Sequence, residues 1–535
     1  MIVLVLALAA CHPSYTPPPS HSNNDTAHHN PDSGDSGDGE VSCGALGDPA
    51  ADFDPTGVWD AATTEAFLRE LQAYGPRWTG SPAHHAALDA IEARFIALGA
   101  EVERESWSFD RVAVQGADAA AEARITALTA GADPGPLWNA TDSERVRLEL
   151  IDDTGAVLEE VPVAEIINFS GGTGSEGVEG PLVDIIGSTN RGALHVQFVD
   201  AAGLPFSALE PRQLDVLDPD DLLDSSYRTY SPINASVEIY LRGPGLVGEG
   251  ALGHIAAYED VPGELLQHSM IPHIDATVDA IPGVLVGREG AAQLRAALDA
   301  GAARARLVVQ TAVTETASHT LIATVPGLDD SHPVLVNNHA DGPTALQLTH
   351  PAQMLSLASY LLAHPLDCRP RTTKFIVTTH YSGSLSAADY TRRHRGDVLA
   401  QAVAVLNGEA MGGDRFILQD GVLVAQGEPA ASWSYLSAGG SDEIVDIWRA
   451  AASAEGLGGH LLLDDAGVYT EAAVFHAEGV PVLSHMSTPA FNLSGSADAI
   501  ARMDLSRLES IFRAHARALA GLHHLPADAV SIGAR

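Results

Sequence analysis

The chain has 535 residues, 45% of them hydrophobic and 19% charged, enough for a large core and for two or three domains. Acidic residues number 70 against 29 basic ones, the net charge is −41, and Lys374 is the only lysine. A field of that sign repels nucleic acid and anionic membrane surfaces, so neither is expected as a partner, and it leaves the fold open.

The first stretch, MIVLVLALAAC, is apolar up to Cys11 and too short to span a bilayer. Leu8-Ala9-Ala10-Cys11 resembles the lipobox of bacterial lipoproteins. The resemblance implies a lipidated Cys11, a place at the cell envelope, and membrane contact through that lipid alone. The segment before the apolar run carries no Lys or Arg, which departs from the pattern, and an ordinary secretory signal is the alternative; both place the protein outside the cytoplasm. Residues 12–53, rich in Pro, Ser, Asn, Asp, His and Gly, have almost nothing to bury and read as a disordered tether in which His28 and His29 are solvated. Cys43 and Cys368 can pair in an oxidising compartment, but Cys43 stands at the tether's end, so no structural disulfide is expected.

The folded part begins with TTEAFLRELQAYG, which sets Phe67, Leu68, Leu71 and Tyr74 on one helical face. GPRWTGSP follows as a loop. AHHAALDAIEARFIALG predicts a second helix that buries Leu88, Ile91, Phe95 and Leu98 and stops at Gly99, with His84 and His85 at the surface. AEVERESWSF alternates as a strand. From 111 to 312 short β-like runs alternate with loops rich in Gly, Pro and Asp, and helical periodicity is scarce until EGAAQLRAALDAG. The acidic residues Asp218, Asp220, Asp221 and Asp224 read as a solvated loop.

Beyond 312 strands and helices alternate: LIATVPG, PVLVNN, a helix over 351–364, KFIVTTH, a helix through SLSAADYTRRH, AVAVLN, a helix around SDEIVDIWRAAASAEG, a strand near VPVLSH, and the closing helix LSRLESIFRAHARALAGL. That order predicts an α/β fold, a mostly parallel sheet covered by helices on both faces. PVLVNN has no polar break, as in a strand buried on both sides. His339, Ala340, Asp341 and Gly342 sit just past its carboxyl end, where open α/β sheets form ligand sites. A His and an Asp two residues apart can serve as metal ligand and orienting carboxylate, or simply as a polar loop facing water.

Two resemblances extend this reading. Ile281–Gln310 resembles the end of a protease-associated domain, so 111–312 is read as an inserted β-rich domain shaping substrate access. Arg77, Gly80-Ser81-Pro82 and the strand–helix order over 54–110 and 313–523 resemble the clan MH zinc exopeptidases, the aminopeptidase and glutamate-carboxypeptidase-like family. The resemblance implies one or two zinc ions, a glutamate general base, ligands at strand ends, and a peptide or aminoacyl substrate. Carried over, His339 is a metal ligand and Asp341 the carboxylate that orients it. Glu409, in LNGEAMGG, stands where the family has a carboxylate ligand, and VFHAEGVP brings Glu471 near the site. The departures are large. Gln347, Leu348, Thr349 and His350 replace the bridging aspartate; His380-Tyr381 replaces the Glu-Glu pair; around Phe491–Ser496, where the last histidine belongs, stand Asn492 and Ser494, with His485 earlier.

Three readings follow. The metal site is rebuilt from His339, His350, His380 and Glu409, with His380 a ligand or the base, Asp341 behind His339, and Glu471 or His485 as additions. Or the scaffold survives without catalysis, as an envelope protein that binds peptides or a partner. Or the clustering of some of the 23 histidines is incidental. A serine hydrolase built on Ser382 or Ser384 with His380 lacks the nucleophile-elbow pattern, and these serines and Ser386 read as helix caps. Trp433 and Tyr435 line a pocket or pack in the core, and Asp464-Asp465 binds calcium or is solvated.

Overall fold

The computed structural model describes residues 43–526 apart from 49–50, 143, 185–190, 202, 220, 224–226, 231, 268–277, 279, 302, 382–384, 438–441, 469 and 488–499. The signal with Cys11, the tether up to residue 42, Ser382, Ser384, Asp220, Asp224 and Asn492–Ser494 lie outside the described residues.

A nine-stranded sheet organises the body, in the order Glu101–Val114, Thr311–Val325, Arg371–Thr378, Asp329–His339, Ala404–Glu409, Val482–Ser487, Ser432–Leu436, His460–Asp464 and Gln213–Leu217. The sheet is mixed. Strands 371–378, 329–339, 404–409 and 482–487 run parallel at its centre, with antiparallel pairs on both flanks. Central strands alternate between two cores, which explains their unbroken apolar runs. Val334, Val336, Phe375, Val377, Leu406 and Leu483 pack beneath helices Pro82–Leu98, Thr349–Ala363, Asp442–Ala454 and Leu505–His523. Leu335, Ile376, Val405 and Val482 pack on the opposite face, with Tyr390 of helix Leu385–His394 and Phe475 of helix Ala472–Ala477. Tyr435 is buried in that second core and Trp433 packs against it.

Strands 101–114 and 311–325 pair antiparallel from Glu101–Thr324 to Val114–Thr311, a long ribbon leading to a second, eight-stranded sheet with its own core. The chain between them is not confined to that sheet, since Gln213–Leu217 returns to the edge of the main one beside His460–Asp464. Two helices absent from the sequence expectation lie here, Ala117–Thr129 and Pro232–Glu249. The first shows no buried residue, so it has no apolar stripe for a periodicity reading to find.

Two expectations are corrected. Cys43 and Cys368 form a disulfide with Cα atoms 5.1 Å apart, 325 residues apart in sequence. The residues after Cys43 belong to the folded body: Gly44–Gly47 is a helical turn, Leu46 is fully buried, and the His524 ring donates to the Leu46 carbonyl at 2.9 Å. His84 is buried, not at the surface, because Ser81 caps the helix and turns His84 inward, where its Nδ1 accepts the Gly80 N–H at 3.1 Å.

Candidate metal centre

Parallel central strands bring their carboxyl ends to one edge of the sheet, and the candidate residues collect there. His339 is the last residue of its strand, Glu409 the last of its neighbour, and His380 follows strand Arg371–Thr378 by two residues. His350 is the second residue of helix Thr349–Ala363, and Glu471 immediately precedes helix Ala472–Ala477.

Behind His339 the scaffold is rigid. His339 Nδ1 donates to the Asp341 carbonyl at 3.0 Å and to Asp341 Oδ1 at 3.1 Å. The Asp341 carboxylate also accepts the backbone N–H groups of His380 and Tyr381, each at 2.9 Å, and the Thr79 hydroxyl. With both oxygens facing donors and no exposure, the Asp341 carboxylate is committed to orienting the imidazole. Burial opposes its charge, but His339 and these donors hold it down at about 2. Arg77 closes the loop from the other side. Its backbone exchanges hydrogen bonds with Gly342 at 2.9 and 3.2 Å, and its guanidinium donates to the Gly75 and Thr344 carbonyls. Gly342 has φ of +128°, and a Cβ there would stand 2.7 Å from Gln347 Cγ.

In front of His339 the pattern inverts. His339 Nε2 lies 3.5 Å from Glu409 Oε1 and 3.8 Å from Glu471 Oε1, and His380 Nδ1 lies 2.5 Å from Glu471 Oε1. The His339 and His350 rings stand 4.2 Å apart. Six buried polar atoms here make no well-formed hydrogen bond: His339 Nε2, His350 Nδ1, His380 Nδ1, Glu409 Oε2 and both Glu471 oxygens. Buried polar groups are nearly always partnered, so such a gathering of imidazole and carboxylate atoms calls for an ion. Among the described residues, His339, His350 and Glu409 present ligand atoms within 4.8 Å of one another. Tetrahedral zinc with bonds of about 2.1 Å sets its ligand atoms about 3.4 Å apart, and the His339–Glu409 and His339–Glu471 spacings are close to that. The residues therefore fit a zinc-type ion. His350 is tied differently, since its Nε2 accepts the Ala410 N–H at 2.7 Å and must give up that bond to bind a metal there.

The charges fit the same reading. Burial raises Glu409, and Glu471 beside it raises it further, to about 7. Burial works against charge on His339, but Glu471, Asp341 and Glu409 more than offset it and hold the imidazole well above the histidine range. Burial likewise opposes charge on His380, and Glu471 keeps it raised. Burial, with His339 adding to it, pushes His350 well down. His380, with 29% of its side chain exposed, and Glu409, with 15%, form the open side of the group.

His485 does not join it. On strand Val482–Ser487 it shares a parity with Leu483, on the helix-covered face, opposite to the parity that ends in His339 and Glu409. There it meets His515 at 3.1 Å and stacks on His460 beside Trp448. The sequence reading also missed a polar row beneath the site: Asn407 donates to the Asn337 carbonyl at 3.0 Å, and Ser484 joins Asn407 to Thr470, next to Glu471. Asn338 accepts the His339 N–H at 2.9 Å and donates to the Gly408 carbonyl, tying together the two strand ends that carry His339 and Glu409. The signal was the Asn-Asn that closes an otherwise apolar strand. Asp464 pairs with Arg212 at 3.3 Å, and Asp218 caps the Leu222 and Leu223 N–H groups, so both serve structural roles here.

No protein-family model matches the sequence, and no curated protein matches it. Solved structures share the fold. A zinc aminopeptidase from Bacillus subtilis superposes with a TM-score of 0.57 at 15% identity, over 88% of this chain and 98% of its own. A Peptidase M28 precursor from Shewanella amazonensis gives 0.56 at 15% identity, over 86% and 96%. An aminopeptidase from an Aneurinibacillus strain gives 0.53 at 16% identity, over 86% and 93%. At these identities the likeness is one of fold: the chain shares the architecture of these three proteins along almost their whole length.

Proposed function

We propose that this protein is a metal-dependent, peptidase-like hydrolase of the aminopeptidase type, acting on peptide or aminoacyl substrates through a rebuilt zinc site. The observation that carries the proposal is the gathering of buried imidazole and carboxylate atoms at the carboxyl edge of the sheet, six of which make no well-formed hydrogen bond. The fold neighbours include a zinc aminopeptidase, which supports the same chemistry. His339 Nε2, Glu409 and Glu471 would hold the metal, with His350 beside them. A bound zinc supplies Lewis acidity toward a carbonyl. Asp341 fixes the His339 tautomer, leaving Nε2 free to ligate. His380, the most exposed of the group and charge-paired with Glu471, holds a proton at the mouth for transfer to or from substrate. Glu409, at about 7, is the second group able to exchange a proton near neutral pH.

Purified protein assayed against a panel of aminoacyl p-nitroanilides, with and without chelator, tests this. Hydrolysis abolished by chelation and restored by zinc is expected. No hydrolysis of any member in the presence of zinc would leave the protein as a binding relative of these enzymes.

We further propose that the protein works at the cell envelope, anchored through a lipid on Cys11, with residues 111–312 forming most of an accessory domain. The Leu8–Cys11 pattern supports this, as does the Cys43–Cys368 disulfide, which suits an oxidising compartment. Loss of fatty-acid labelling in Cys11→Ala is the expected result; unchanged labelling would refute the anchor.

A further inference from the structure

The helix-covered face of the main sheet carries a polar row one residue back from the candidate ligands. Gly408 of strand Ala404–Glu409 pairs with His485, and Asn338 stands on its other side, one step past the Asn337–Asn407 pair. Parity turns this row into the core that holds Val336, Leu406 and Leu483. Two helices complete it. Gln353 comes from helix Thr349–Ala363 and His515 from helix Leu505–His523, and Asn338, Gln353, His485 and His515 are all without exposure. Gly408 makes the room, since a Cβ there would stand 2.7 Å from Gln353 Nε2.

The hydrogen bonds of the row run in one direction. Asn338 Oδ1 accepts the His339 N–H at 2.9 Å, so its Nδ2 is the donor, to the Gly408 carbonyl and to Gln353 Oε1 at 3.4 Å. That leaves Gln353 Nε2 to donate to His515 Nδ1 at 2.7 Å, and His515 Nε2 to donate to His485 Nδ1 at 3.1 Å. Each imidazole has its accepting nitrogen taken by a donor, which fixes one neutral tautomer. Trp448 packs against both rings, at 5.3 and 5.4 Å. Apolar side chains could fill such a space without any polar group to satisfy. What the four polar ones add is direction, each fixing the next. The row ends on two backbone groups, the His339 N–H and the carbonyl of the peptide that joins Gly408 to Glu409.

We propose that Gln353 and His515 are positioning residues for the metal centre: through Asn338 they brace the two strand ends from behind and set the spacing of His339 and Glu409. The proposal rests on the zinc reading above. A cage that brings the carboxylates of Glu409 and Glu471 together repels itself until an ion arrives, so its spacing has to be held by its surroundings. His339 is held through its ring by Asp341 and through its backbone by this row. Glu409 has no such partner behind its carboxylate, and the row acts on the peptide group just before it.

The test uses the full chain and two readouts, zinc affinity by competition with a chromophoric chelator and the melting temperature of the metal-free protein. Gln353→Met keeps the volume and removes the amide. His515→Leu removes the acceptor, and His515→Asn returns an oxygen near the place of Nδ1. His460→Leu is the control: His460 stacks on His485, but its Nε2 is engaged with Ser434 at 2.9 Å and it stands outside the row. Gln353→Met and His515→Leu should each weaken zinc binding about tenfold, the low end of the effect of groups behind a metal ligand. His515→Asn should recover most of that loss. His460→Leu should lower the melting temperature and bind zinc as wild type does. Either Gln353→Met or His515→Leu, if folded, decides. Wild-type affinity in a folded one, or an equal loss in His460→Leu, overturns the positioning role and leaves the zinc reading standing. No zinc bound by wild type removes the zinc reading and the positioning role with it.

Discussion

His380 Nδ1 lies 2.5 Å from Glu471 Oε1, an ion pair joining the loop after one central strand to the start of the short helix Ala472–Ala477. Ligands of a single tetrahedral zinc sit about 3.4 Å apart, so these two atoms are too close to be neighbouring ligands. On the proposed zinc reading, Glu471 goes to the metal and His380 to proton handling. His380→Asn is therefore expected to keep its zinc while kcat falls about 10²- to 10⁴-fold, with the pH–rate profile losing one limb. Zinc lost from this variant would make His380 a ligand instead.

Asp341 spends its carboxylate on His339, Thr79 and two backbone N–H groups. Asp341→Asn keeps the volume but loses the charge and part of the accepting capacity. Zinc affinity should drop about 10- to 100-fold, as for other carboxylates behind a metal histidine. Competition with a chromophoric chelator measures it.

Metal and protons compete for the same atoms. Burial and the neighbouring Glu471 push Glu409 up, to about 7, and against its own burial His339 is held well above the usual histidine range by Glu471, Asp341 and Glu409. Both must lose their protons to ligate, so zinc binding at pH 7 releases protons. Apparent affinity should rise as pH increases through 7 and fall on acidification, about tenfold per pH unit for each proton displaced. Calorimetry in buffers of different ionisation enthalpy reads the proton count directly.

The Cys43–Cys368 disulfide closes a loop of 325 residues and pins the buried Leu46 turn to the body. The double variant Cys43→Ser, Cys368→Ser should lose about 2–4 kcal/mol of stability. Chemical denaturation of oxidised protein and variant in parallel measures the difference. Activity should survive at temperatures where the variant stays folded, because both cysteines lie away from the metal centre.

Much of the site was legible because strand logic and motif agreed. PVLVNN announced a strand buried on both faces, and its carboxyl end delivered His339 and Asp341 to the edge where ligands gather. Glu409 and His380 came from the family resemblance, by the places they take in its pattern, and both also fall at or just past strand ends. What distance along the chain conceals was harder. Nothing local to Cys43 points to Cys368, since the contact is made by a folded body that returns after 325 residues. His485 was misplaced because nearness in sequence ignored parity: one residue along a strand moves a side chain to the other face. His84 was read as exposed from its place near the helix start, whereas Ser81 caps that helix and His84 is buried. Helix Ala117–Thr129 gave no periodic signal because it buries no residue and so has no apolar stripe.

The most direct test of the central claim is the metal content of the purified protein, by inductively coupled plasma mass spectrometry, beside a His339→Ala variant. Stoichiometric zinc in the wild type, lost in the variant and accompanied by a fall in melting temperature on chelation, is the predicted result. No bound metal in either protein, with thermal stability unmoved by chelator, would contradict the metal centre and the hydrolase built on it.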